Sequence, residues 1–126
     1  MPKSILVVDD AAFMRRLLRD VLTAAGYRVL EAVSGRDALE KYAEDRPDLV
    51  TMDVGMPDMS GLDAIERIRA EDEHARIVVV SAAGSDDVVE RALALGAAAF
   101  VRKPFQPATV VDIVRKTLLV PPASRC

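Results

Sequence analysis

Apolar positions along the chain follow two rhythms that alternate. Ile5-Leu6-Val7-Val8 and Ile77-Val78-Val79-Val80 are apolar runs, and Leu49 to Met52 is one with Thr51 inside it, the pattern of strands covered on both faces. Tyr27 to Val33 is less apolar and suits a sheet edge, and Ala99-Phe100-Val101 reads as a fifth strand. Between these runs the spacing changes to that of helices. Phe13, Met14, Leu17, Leu18, Val21 and Leu22 recur with Arg15, Arg16, Arg19 and Asp20 between them, which predicts one amphipathic helix. Ala38, Leu39, Tyr42 and Ala43 predict the inward face of a second, and Leu62, Ile65 and Ile68 that of a third. Asp86 to Leu95 forms the fourth, and Pro107 opens a fifth that reaches about Val120. Ser34 and Ser60 are placed to cap helices, while Gly26, Pro47, Gly96 and Pro121-Pro122 mark where helices stop.

Strand and helix thus alternate five times with short connections. That order predicts an α/β fold, a doubly wound five-stranded parallel sheet with right-handed crossovers and helices on both faces. At 126 residues the chain suits one domain, large enough to bury roughly two-thirds of its unfolded surface. Residues 1–120 are expected to form that domain, with 121–126 as a short flexible tail.

Composition narrows the function. A net charge of −3 and no basic stripe give no general attraction to nucleic acid or anionic membrane. No apolar run approaches a membrane span, and Met1-Pro2-Lys3-Ser4 leads straight into a strand without a signal peptide. The single cysteine, Cys126, leaves no internal disulfide and suits a reducing cytoplasm. His74 lies in a polar stretch and is expected at the surface.

Chemistry gathers where the strands end. Asp9-Asp10, Asp53, Ser81 and Lys103 each follow or close an apolar run, and parallel strands bring their carboxyl ends to one edge, where ligands bind in open α/β sheets. Three crowded carboxylates repel unless a cation sits among them, and carboxylates with a backbone carbonyl suit Mg²⁺. A metal, a lysine and a hydroxyl around one carboxylate are what a phosphoryl group on that carboxylate needs. The plainer reading is a charge-balanced sheet edge.

The segments Val7-Val8-Asp9-Asp10, Met52-Asp53 with Met56-Pro57 and Ser60-Gly61, Val80-Ser81-Ala82, and Lys103-Pro104-Phe105 together resemble a response-regulator receiver domain, and the resemblance covers nearly the whole chain. Asp10-Ala11-Ala12-Phe13-Met14-Arg15 and Lys103-Pro104-Phe105-Gln106-Pro107 are similar to stand-alone chemotaxis regulators of the CheY type. The resemblance implies strand order 2-1-3-4-5 and Asp53 as phospho-acceptor. It implies Mg²⁺ held by Asp10, Asp53 and the Gly55 carbonyl, with Asp9 acting directly or through water. Ser81 takes the hydroxyl switch role, Lys103 bridges to the phosphoryl group, Lys103–Pro104 is a cis peptide, and Phe100 holds the aromatic switch position.

By the same resemblance the protein is a cytoplasmic monomer in a two-component system, not an enzyme beyond its own phosphoryl transfer and slow autodephosphorylation. Its partners are a histidine kinase or phosphotransfer domain, an output protein such as the flagellar motor switch, and a phosphatase. With no DNA-binding module after residue 120, output is expected through the surface of the fourth helix, fifth strand and fifth helix. Gly55 has no side chain where many members of the family carry a polar or bulky one, Ala83 is also small, and Phe100 lacks the hydroxyl of a switch tyrosine. A phosphorelay carrier is the nearest alternative. A small Mg²⁺-dependent phosphohydrolase would need a second acid two residues after its nucleophile, where Gly55 stands. A flavodoxin-like carrier would need backbone donors and Ser, Thr or Gly after Val8, where acids stand.

Overall fold

The computed structural model describes residues 2–82 and 84–120. Ala83 and the tail 121–126, with Cys126, lie outside the described residues. Five strands and five helices alternate: β1 Ser4–Val8, α1 Ala12–Ala24, β2 Arg28–Ala32, α2 Gly35–Asp45, β3 Leu49–Met52, α3 Gly61–Glu71, β4 Ile77–Ser81, α4 Asp86–Ala94, β5 Ala99–Arg102 and α5 Pro107–Leu119. All pairings are parallel, in the order β2-β1-β3-β4-β5. The less apolar β2 occupies one edge, as its composition predicts.

Side-chain alternation splits each apolar run between two cores. Ile5, Val7, Leu49, Val78 and Val80 pack with Leu18 and Leu22 of α1 and Val110 and Val114 of α5. Leu6, Val8, Val50, Met52, Ile77 and Val79 pack with Ala38 and Tyr42 of α2, Ile65 and Ile68 of α3 and Ala92 of α4. Helices therefore cover both faces, which is why the strands read as continuous apolar runs and not as alternating ones. Among the described residues, no helix is long and apolar enough to cross a membrane.

The caps explain the helix ends. The Ser34 and Ser60 hydroxyls accept from the amides of Asp37 and Leu62, each satisfying a donor that the first turn leaves open. Ser85 does the same for Val88. Gly26 and Gly96 sit at φ +97° and +107° after α1 and α4, a backbone region that a Cβ disfavours. At α2 the stop is Arg46 in the left-handed conformation, one residue before Pro47.

Two helix positions depart from the apolar pattern. Phe13 is 77% exposed at the start of α1, while Met14 beside it packs against the core. Ala43 is also exposed, outside the α2 stripe of Ala38, Leu39 and Tyr42. The fourth and fifth helices each end one residue sooner than their sequence pattern suggests.

Candidate functional site

Register builds the site. Val8 pairs with Met52 across β1 and β3, so Asp9 and Asp53 leave adjacent strands side by side. The Asp53 amide still donates to the Val8 carbonyl at 3.1 Å, and the Asp9 amide to the Ala32 carbonyl at 3.2 Å. Ser81 pairs with Arg102 at the ends of β4 and β5, and the Lys103 amide donates to the Ser81 carbonyl at 3.1 Å. Four strand ends thus deliver Asp9, Asp10, Asp53, Ser81 and Lys103 to one edge.

One carboxylate oxygen from each of Asp9, Asp10 and Asp53 lies within 4.8 Å of the others. Asp9 and Asp53 are 1% and 7% exposed, while Asp10 faces solvent. At such separations two like charges repel by roughly 3 kcal/mol at an effective dielectric of about 20. Lys103 relieves part of this: its Nζ donates to Asp9 Oδ2 at 2.6 Å and stands 3.6 Å from Asp53 Oδ2. One ammonium against three carboxylates leaves the cluster net negative, and its hard oxygen donors fit a divalent cation such as Mg²⁺.

The two Asp53 oxygens have different surroundings. Oδ1 accepts from the Ser81 hydroxyl at 2.8 Å and from the Gly55 amide at 3.1 Å. Oδ2 faces the Lys103 ammonium. Asp9 is held more firmly still, its Oδ1 accepting from the Ala11 amide at 2.9 Å. Lys103–Pro104 is a cis peptide, as the family pattern implies. Phe100 is half-buried against the core on the α4 side, with the Arg102 guanidinium 5.7 Å from its ring centroid.

Three supporting residues make contacts that the sequence pattern does not state. Arg15 reads as one of the polar residues of α1, yet its Nη1 donates to the Asp9 carbonyl at 2.8 Å and its Nε pairs with Glu31 at 3.4 Å, tying the β1–α1 loop to β2. Asp58 accepts from the amides of Gly35 and Arg36, both at 3.2 Å, fastening the β3–α3 loop to the start of α2. Those amides, Arg36 foremost, hold the Asp58 carboxyl below the usual range. Gly61 stands in the Ser60-Gly61 segment of the family pattern, and its role is close packing: a Cβ there would collide with the Asp53 carbonyl oxygen and Val54 Cα. Any side chain at 61 would push α3 away from the strand end that carries Asp53.

The sequence matches the family model of the response regulator receiver domain over residues 5–115. Chemotaxis protein CheY of Thermotoga maritima is 52% identical over 117 residues, spanning 92% of this chain and 98% of that protein. Chemotaxis protein CheY of Bacillus subtilis is 47% identical over 119 residues, spanning 94% and 99%. The crystal structure of the CheX-CheY-BeF₃-Mg²⁺ complex from Borrelia burgdorferi aligns at a TM-score of 0.91 and 32% identity, covering 95% of this chain and 91% of that one.

Proposed function

The chain belongs to the response regulator receiver domain family, and from that premise we propose that it is a phosphorylation-operated switch of a two-component system, of the chemotaxis type, with Asp53 as phospho-acceptor. The observation that carries this reading is the asymmetric setting of Asp53: a hydroxyl on one oxygen, an ammonium near the other, and two further acids beside it. The donor is a phosphohistidine of a histidine kinase or phosphotransfer domain. A carboxylate oxygen of Asp53 forms a bond to phosphorus as the phosphorus–nitrogen bond breaks, and the imidazole leaves with the electron pair. The protein contributes position and charge, the two effects on which phosphoryl transfer depends.

Asp10, Asp53 and the Gly55 carbonyl would hold Mg²⁺, with Asp9 joining directly or through water. When bound, the ion neutralises charge on the phosphoryl oxygens. Lys103 turns from Asp9 toward the new phosphoryl group. The Ser81 hydroxyl exchanges its bond to Asp53 Oδ1 for one to a phosphoryl oxygen, drawing the end of β4 inward. Phe100 then moves into the vacated space, and the surface of α4, β5 and α5 changes for an output partner. Phosphorylation supplies the differential stability between the two states.

This function places the protein in the cytoplasm, signalling as a monomer through protein partners, with no chemistry beyond its own phosphoryl transfer and hydrolysis. Gly55 offers no side chain to orient an attacking water, so intrinsic dephosphorylation is slow and a phosphatase supplies the missing polar group. The test uses acetyl phosphate with Mg²⁺. Intact mass should rise by one phosphoryl group in the wild type and not at all in Asp53→Asn. Labelling that persists in Asp53→Asn assigns the phosphoryl group to another nucleophile and rejects the proposal.

A further inference from the structure

The opposite end of the sheet holds a cavity that the phosphoryl chemistry does not use. The segment leading into β4, the start of β5, the end of α4 and the last turns of α5 line an open groove of about 510 Å³, within the range of about 300–1,000 Å³ usual for small-ligand sites. Its walls include Leu93, Ala97 and Ile113, and its charged lining is cationic throughout: Arg69, Arg76 and Lys116. Among the described residues no carboxylate lines it. In a chain of net charge −3, this is a local reversal of sign.

The three cations are held differently. Arg69 is 5% exposed, its Nη1 donates to the Ala75 carbonyl at 2.9 Å, and it packs where any side chain on Gly96 would collide with it. Lys116 is exposed at the rim and pairs with Asp112 Oδ2 at 3.0 Å. Arg76 makes no ion pair among the described residues. Its Nη2 donates to the Val120 carbonyl at 3.2 Å, and its Nε is buried with no acceptor among the described residues. A guanidinium presents its donors as a planar fork matched to a carboxylate.

From the apolar walls, the cationic lining and an Arg76 guanidinium that no carboxylate among the described residues neutralises, we propose that this groove binds a small amphiphilic carboxylate. Its hydrocarbon body lies against Leu93, Ala97 and Ile113, and its head accepts from Arg76 with Lys116 nearby. The groove shares α4, β5 and α5 with the output face but none of the residues around Asp53, so octanoate binding is tested apart from phosphorylation.

The test is a titration of the full ¹⁵N-labelled chain with octanoate, followed by amide shifts. Saturable shifts are expected at Ala97, Ala98 and Thr117, with the amides of Asp53 and Gly55 unmoved. Octanamide, which keeps the body and loses the charge, should bind at least about tenfold more weakly, the scale of one charge-assisted contact. Arg76→Gln should weaken octanoate by a similar factor and octanamide by less than about twofold; this difference is one that general damage to the fold would not produce. Equal affinity for octanoate and octanamide, or shifts that do not saturate or that centre on another face, would overturn the proposal. So would a chain ending at Val120 that binds octanoate more than about tenfold tighter, because the groove would then belong to residues 121–126.

Discussion

Acids at the two ends of this sheet have opposite surroundings. At the strand starts, Asp48 accepts from the Ser4 amide at 2.7 Å and the Ser4 hydroxyl at 3.3 Å. Asp72 accepts from the Tyr42 hydroxyl at 2.7 Å and the His74 amide at 3.0 Å, and pairs with Arg46 at 3.2 Å. Each works as a brace between elements. At the strand ends, Asp9, Asp10 and Asp53 crowd together with Lys103 as the cation within reach. The same residue type is stabilising where donors converge on one carboxylate and costly where carboxylates converge on one donor. Stored repulsion of that kind gives a bound cation its affinity, since binding removes the cost.

The contrast is most sharply broken at Lys103. Lys103→Met leaves Asp9, whose side chain is 2% exposed, without its 2.6 Å partner. Removing one member of a buried pair costs about 3 kcal/mol or more, so urea denaturation in EDTA should show a loss of that size. A loss below about 1 kcal/mol would mean that the pair is worth no more than a surface salt bridge.

Mg²⁺ comes next. At a hundredfold excess over Kd, linkage stabilises by about 2.7 kcal/mol, a melting-temperature rise of roughly 10 °C for a chain of this size. A melting temperature indifferent to millimolar Mg²⁺ would count against the cation site.

Asp10→Asn separates repulsion from binding. It removes one of three crowded charges, so metal-free stability should rise by about 1 kcal/mol while the Mg²⁺-dependent gain disappears. Reduced metal-free stability would show that Asp10 braces the fold as Asp48 and Asp72 do.

The smallest effect belongs to the strand-start brace. Tyr42→Phe removes the hydroxyl from Asp72 and should cost about 1 kcal/mol at pH 7. Burial pushes the Asp72 carboxyl up, but the Tyr42 hydroxyl, the His74 amide and Arg46 outweigh it and hold the carboxyl below its ordinary value. A folded-state value below the unfolded one, about 3.9, contributes stability above that pH and loses it as pH falls through the folded value. The gap between wild type and Tyr42→Phe should therefore be full at neutral pH and narrow below about pH 4. Thermal melts across that range measure it, and a gap that widens in acid would reverse the assignment.

Much of the site was readable in the chain itself. Short β-branched apolar runs such as Ile77 to Val80 are strands because a sheet covered on both faces buries consecutive side chains and four residues are too few for a helix. Once the strands are parallel, Asp9, Asp53, Ser81 and Lys103 must share an edge, and Asp10 follows Asp9. Spacing carries that information because strand direction converts position in sequence into position in space.

Other features belong to the tertiary structure alone. Phe13 has helical spacing yet stands in solvent while Met14 beside it packs on the core, because spacing groups residues on a face and does not state which of them another element covers. Arg15 on the Asp9 carbonyl, Asp58 on α2 and Gly61 against Asp53 are contacts between elements whose separation no local pattern encodes. The division of acids into braces and a crowded cluster was decided the same way. The chain specifies where each carboxylate leaves a strand or helix, but packing decides whether donors or other carboxylates meet it there.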